Sequence, residues 1–224
     1  MSKDGIGERL RDVYRRLDAA YGPQHWWPGE TPFEVIVGAI LTQSAAWANV
    51  EKAIVNLKAA GTLTPQTMSA IDEAELAQLV YPAGYFNAKA RKLRAFLALL
   101  NQRFDGDLER LLATPPDELR TLLLATHGIG PETADSILLY AAGQPSFVID
   151  AYTRRTFARL GFSPARDDYA SWRALFQEAL PEDVPLFNQF HALIVHHGKD
   201  VCRAKPLCSE CPLAEICIWQ RQPR

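Results

Sequence analysis

Four cysteines constrain this chain more than any other feature. All lie in the last 23 of its 224 residues, as Cys202, Cys208, Cys211 and Cys217, spaced C-x5-C-x2-C-x5-C. Unrelated thiols would scatter along the chain; thiols crowded into one short segment point to a shared metal or cluster. Disulfides would need an oxidising compartment. The N-terminus, MSKDGIGERLRDVYRRL, is charged throughout with no apolar signal core, so a reducing cytoplasmic location is expected, nucleoid-associated in a bacterium. Four thiolates suit tetrahedral zinc or a [4Fe–4S] cluster. Zinc ribbons usually carry two short knuckles, whereas only the middle pair is short here, which tilts the choice toward iron–sulfur.

The rest of the chain reads as helix. Ile6, Leu10, Val13, Leu17 and Tyr21 mark one helical face. Pro23 and Trp26-Trp27-Pro28 interrupt it. Residues 33–42, FEVIVGAILT, are apolar nearly all round and predict a buried central helix. Further helices are expected from Val50 to Ala60, over 67–80, and over 88–103, where Lys89, Arg91, Lys92 and Arg94 oppose Leu93, Phe96, Leu97 and Leu100. No alternating strand pattern stands out, and Ser146 to Ile149 is a short extended link at most. The expected fold class is all-α, with about nine or ten helices. No run of 18 apolar residues exists, so neither a membrane span nor a membrane partner is expected. At 48% hydrophobic and 22% charged, a chain this long can bury its core without staples. A net charge of −2 argues against gripping nucleic acid by bulk charge but leaves room for local phosphate sites.

One such site is legible. A helix opening at Pro115-Pro116 and another from Glu132 to Ala142 are joined through His127-Gly128-Ile129-Gly130-Pro131. Glycines at Gly128 and Gly130 permit positive φ and close approach of a phosphate. The second helix then offers free N–H groups and the positive end of its dipole. Pro131 at the first helical position and Thr133-Ala134 after it favour DNA binding over an ordinary hairpin corner. Twenty residues past the turn, Asp150 follows Phe147-Val148-Ile149 and sits where an N-cap belongs. Beside the hairpin and the cysteines it also reads as a catalytic carboxylate.

These motifs together resemble the endonuclease III branch of the helix-hairpin-helix DNA glycosylases, from about Leu17 to Cys217. The resemblance implies a two-lobed all-α fold with a lesion pocket between the lobes. A six-helix barrel would span 25–143. Residues 1–24 with 144–224 would form a second lobe, holding a [4Fe–4S] cluster in the loop 202–217. The first cysteine gap in the family is usually one residue longer than here. Damaged double-stranded DNA would be the partner, bound by a monomer.

The departure at Glu132 bears on the chemistry. Bifunctional members carry a lysine there, whose amine attacks the sugar C1′. A carboxylate cannot form that Schiff base, so the resemblance implies a monofunctional enzyme in which Asp150 stabilises the oxocarbenium-like sugar or activates water. Trp26-Trp27-Pro28, and Trp47 following Leu41-Thr42-Gln43, are similar to the 3-methyladenine glycosylase subgroup. By that resemblance Trp26 and Trp47 would sandwich the flipped base, and aromatic rings attract a cationic purine. Gln43 matches the family's plug glutamine and Tyr85 its intercalating wedge. Arg203 and Lys205, inside the cysteine loop, would contact phosphates. Two other readings stand beside this one: a glycosylase/lyase for oxidised pyrimidines or a mismatch glycosylase, and a non-catalytic DNA-binding module.

Overall fold

The computed structural model describes residues 3–221. Twelve α-helices occur among them: α1 (Lys3–Tyr21), α2 (Pro32–Leu41), α3 (Trp47–Ala59), α4 (Pro65–Ala70), α5 (Glu73–Leu79), α6 (Phe86–Phe104), α7 (Leu108–Leu112), α8 (Pro116–Leu124), α9 (Pro131–Ser136), α10 (Ala151–Arg159), α11 (Tyr169–Gln177) and α12 (Val184–Asp200). No strand occurs among the described residues. None of their helices is long and apolar enough to cross a membrane.

The helix count exceeds the sequence expectation for two physical reasons. The stretch 67–80 is not one helix. Ile71 turns extended, and Asp72 caps a new helix by accepting the Glu75 N–H at 2.7 Å. A side-chain cap that satisfies an orphan amide starts α5 where periodicity alone would run on. Likewise Asp107 caps the single turn of α7.

The chain divides into two compact units, Met1–Trp26 with Pro145–Arg224, and Trp27–Gln144. In the second unit α2 is the centre. Phe33 to Leu41 are all buried, and they pack with residues from α3, α6, α8 and α9 into one apolar cluster. Thr31 starts α2 by accepting the Glu34 N–H at 3.1 Å, with Pro32 at its first position. Each fully buried Leu, Ile or Phe contributes about 1.5–3 kcal/mol to holding that cluster together.

The core of the first unit is aromatic. Phe147 stacks on Phe176 with centroids 4.3 Å apart, and Phe157, Phe187 and Phe190 meet these rings edge-on. Phe147, Val148 and Ile149 are buried in extended conformation without a strand partner. Side chains of α11 take the ladder's place: Gln177 Oε1 accepts the Phe147 N–H at 3.0 Å, Gln177 Nε2 donates to the Pro145 carbonyl at 3.0 Å, and Tyr169 Oη accepts the Ile149 N–H at 3.4 Å. Buried backbone must be paired somewhere. This pairing fixes the segment that delivers Asp150.

Candidate nucleic-acid interface and active-site residues

The hairpin joins α8 to α9. Its two glycines do different work. Gly128 has φ +80°, and a Cβ there would strike the Lys92 side chain. Gly130 does not use the positive-φ freedom expected of it; its φ of −89° and ψ of 176° suit any residue. A Cβ on Gly130 would meet nothing within 4 Å. What Gly130 keeps open is the approach to the start of α9. There the Ala134 N–H is the first to return into the helix, to the Gly130 carbonyl at 2.9 Å. Helix geometry leaves the N–H groups before it facing outward. Ile129, 4% exposed, anchors the turn between the glycines.

The Thr133 side chain is buried, and its hydroxyl accepts from Gln43 Nε2 at 2.9 Å. Gln43 Nε2 also donates to the Gly128 carbonyl at 3.0 Å, and Lys92 Nζ donates to Gln43 Oε1. Glu132 lies exposed in the first turn of α9. Tyr85 is 75% exposed at the N-terminus of α6, in a left-handed conformation with φ 46°. Lys89, on the same helix, is 2% exposed and donates to the Ala83 carbonyl at 2.7 Å, which holds the turn before Tyr85. Burial, and then the neighbouring Lys92 charge, lower its pKa.

Aromatic residues of the unit Trp27–Gln144 gather around Trp27. Trp47 meets Trp27, 5.4 Å between centroids and nearly perpendicular, and Trp27 in turn leans on Tyr140 at 5.4 Å. Tyr140 belongs to a π-helical turn, Ile137–Ala141, that continues α9. Such turns re-aim side chains within a helix. Gly38 lets the Trp27 ring lie on α2, since a Cβ there would come 3.2 Å from it. Trp47 Nε1 donates to Glu51 Oε1 at 2.7 Å. Trp27, Gly38, Trp47, Glu34 and Glu51 line a cavity of about 350 Å³, within the range of small-molecule sites. Sequence reasoning passed over Trp27 and Tyr140. Adjacency to Trp26 was the only signal for the first, and the second carried none. Trp26 falls in the other unit.

Asp150 caps α10. Its Oδ1 accepts the Thr153 N–H at 2.7 Å and the Thr153 hydroxyl at 2.8 Å. Its Oδ2 lies 3.7 Å from Nε2 of His191, a residue of α12. The two oxygens are thus distinct: one is committed to the helix cap, and the other faces His191. His191 is 6% exposed, and burial pushes its pKa down more strongly than Asp150 raises it.

The four cysteines line one small cavity with Val201, Pro206, Leu207 and Trp219. Arg159 of α10 reaches into the loop, its Nη1 donating to the Arg203 carbonyl at 2.7 Å and to Cys202 Sγ at 3.3 Å. Arg155, one turn earlier, donates to the Cys202 carbonyl at 2.8 Å and the Gly198 carbonyl at 2.7 Å. Burial, and then the neighbouring thiols, push the Cys211 thiol up to about 11. Four thiolates this close repel unless a cationic centre neutralises them. Among the described residues no three His, Cys, Asp or Glu side chains converge as ligands of one metal ion would. In a four-iron cluster each thiolate binds its own iron, so convergence on one point is not required, and the donor set fits that group. Arg203 and Lys205 are exposed at the loop's surface.

Glycine-cornered helical hairpins hold DNA through backbone amides, and this one, in an all-helical frame, defines the class of helix-hairpin-helix DNA repair proteins. The family model described as the HhH-GPD superfamily of base excision DNA repair proteins matches residues 37–182, and the chain belongs to that superfamily. A protein of Methanocaldococcus jannaschii provisionally named a DNA repair glycosylase is 44% identical over 96% of this chain and 99% of its own length. Endonuclease III of Sulfolobus acidocaldarius is 29% identical over 94% of this chain and 93% of its own. Among solved structures, 3-methyladenine DNA glycosylase of H. pylori bound to 1,N6-ethenoadenine superimposes with a TM-score of 0.74 at 27% identity, covering 89% of this chain and 98% of that one. An endonuclease III–DNA complex superimposes with a TM-score of 0.83 at 24% identity, over 99% and 97%, and supports the fold.

Proposed function

We propose that this DNA repair glycosylase is monofunctional and hydrolyses the N-glycosidic bond of alkylated purines such as 3-methyladenine. The observation that carries the reading is Glu132, a carboxylate in the first turn of α9, where a lyase of this family needs an amine. Water is then the nucleophile. Oδ2 of Asp150 is the oxygen that would orient or deprotonate it and stabilise positive charge on the sugar, because Oδ1 is held by Thr153. An N-alkylated purine is cationic and leaves as a neutral base, so one carboxylate suffices. Trp47 is proposed to stack on the flipped base. Lys58, which also lines the cavity, pairs with Glu34 at 3.0 Å, so the ring of Trp27 and the Glu51 carboxylate beside Trp47 are what favour a cationic ring over a neutral one. The likeness to a 3-methyladenine glycosylase supports the same substrate class.

DNA binding is assigned to the hairpin backbone at Gly128, Gly130 and Thr133, to Gln43 as the plug, to Tyr85 as the wedge, and to Arg203 and Lys205. Cys202, Cys208, Cys211 and Cys217 would hold a [4Fe–4S] cluster, which ties the loop carrying those two cations. The protein is proposed to act on duplex DNA as a monomer. Duplexes with defined lesions, scored with and without alkali, test the reading. Release of 3-methyladenine should leave an intact abasic strand that breaks only in alkali, and borohydride should trap no covalent complex. Strand cleavage at thymine glycol without alkali would overturn it in favour of a glycosylase/lyase.

A further inference from the structure

Among the described residues the half-buried ammonium of Lys92 pairs with no carboxylate. It donates to the neutral amide oxygen of Gln43, and none of the ion pairs among the described residues involves it. It shares this end of α6 with Lys89, which is buried and bonded to a carbonyl rather than a carboxylate. Two cations therefore stand together without a counter-charge in a chain whose net charge is −2. The Lys92 stem lies against Gly128, the residue that turns the hairpin. The amide of Gln43 is fully engaged, with Nε2 on the Gly128 carbonyl and Thr133 and Oε1 on Lys92. Gln43 cannot enter a duplex without dropping these bonds. Dropping them leaves an ammonium beside a phosphate-binding turn with no acceptor.

We infer that Lys92 is a DNA phosphate ligand held in reserve by Gln43: when Gln43 leaves the hairpin to fill the duplex, Lys92 Nζ exchanges the amide oxygen for a backbone phosphate. The exchange links plugging to phosphate grip, so a duplex that accepts the glutamine is held by one more ion contact than one that does not. This rests on the assignment of Gln43 as the plug.

The test is the salt dependence of binding, measured by fluorescence anisotropy on two duplexes, one undamaged and one carrying a tetrahydrofuran abasic site. Each phosphate contact contributes about 0.9 to the slope of log affinity against log salt. Lys92→Met should lower the slope by about that amount on the abasic duplex. Over a fourfold rise in salt its affinity then falls about 3.5-fold less than that of the unaltered protein. On the undamaged duplex the slope should not change, and Lys92→Arg should restore it on the abasic one. Gln43→Ala should keep the full slope on the abasic duplex and raise the slope on the undamaged one by about 0.9, since its lysine is free from the start. An unchanged slope for Lys92→Met on the abasic duplex, or an equal fall on both, overturns the exchange. If the unaltered protein does not prefer the abasic duplex at all, the glycosylase reading fails instead; preference without the slope difference refutes this inference alone.

Discussion

Replacing Asp150 separates a structural carboxylate from a chemical one. Oδ1 caps α10 and also satisfies the Thr153 hydroxyl, whose residue is fully buried. Asparagine caps helices about as well as aspartate, and its amide oxygen can accept both bonds. Asp150→Asn should therefore change stability by less than about 1 kcal/mol. Asp150→Ala removes the cap, worth about 1 kcal/mol, and strands a buried hydroxyl, for a total of about 2 kcal/mol. At about 2–4 °C per kcal/mol for a chain of this length, the alanine variant should melt about 4–8 °C lower and the asparagine variant within about 3 °C of the parent. Chemistry should show the opposite ranking. A unit charge about 4 Å from the developing sugar cation, at an effective dielectric of about 20, is worth about 4 kcal/mol, or roughly a thousandfold in rate. Single-turnover excision from a 3-methyladenine duplex should thus fall about a thousandfold in Asp150→Asn despite an unaltered melt. Its DNA affinity should be equal or higher, because an anion near phosphates has gone. Turnover of Asp150→Asn within tenfold of the parent would refute the reasoning and leave Asp150 as a cap alone. A melt as low as that of the alanine variant would make any loss structural.

Gly130→Val should fold normally, since its backbone is extended and its Cβ meets open space, yet it should weaken undamaged and lesion DNA alike, as phosphate contacts position without specifying. Loss confined to lesion DNA, read by anisotropy, would contradict that role. The purified protein should be yellow-brown and carry about four irons per chain. A colourless protein with one equivalent of zinc would restore the zinc alternative for Cys202, Cys208, Cys211 and Cys217.

Local physics is what the sequence carries most openly. An apolar run such as Val35 to Leu41 has no polar side to offer water, and it lies buried throughout. The split at Ile71 was hidden because a cap outweighs periodicity over two residues, though Asp72 is the residue type that signals one. Gly128 and Gly130 look alike in sequence and differ in the fold, because only the first meets a side chain from α6. The Trp27–Trp47–Tyr140 contacts depend on a π-turn and on a missing Cβ at Gly38, and neither has a local signature. The bond from Lys92 to Gln43 spans 49 positions. A separation of that size is set by helix packing, which no motif spells out.

Helix α10 has a consequence for how such a protein wears out. It is nine residues, or about 13 Å, long. Asp150 forms one end, and Arg155 and Arg159 hold the backbone of the cysteine loop from the other half. A strut clamped at both ends keeps its aim only while both clamps hold. Oxidants that attack the sulfurs would loosen the far clamp, and the carboxylate would drift although nothing near it had reacted. With Asp150 in the catalytic role proposed above, ageing would then register as a falling turnover rate at constant protein mass and unaltered Asp150, with the thiols as the fuse.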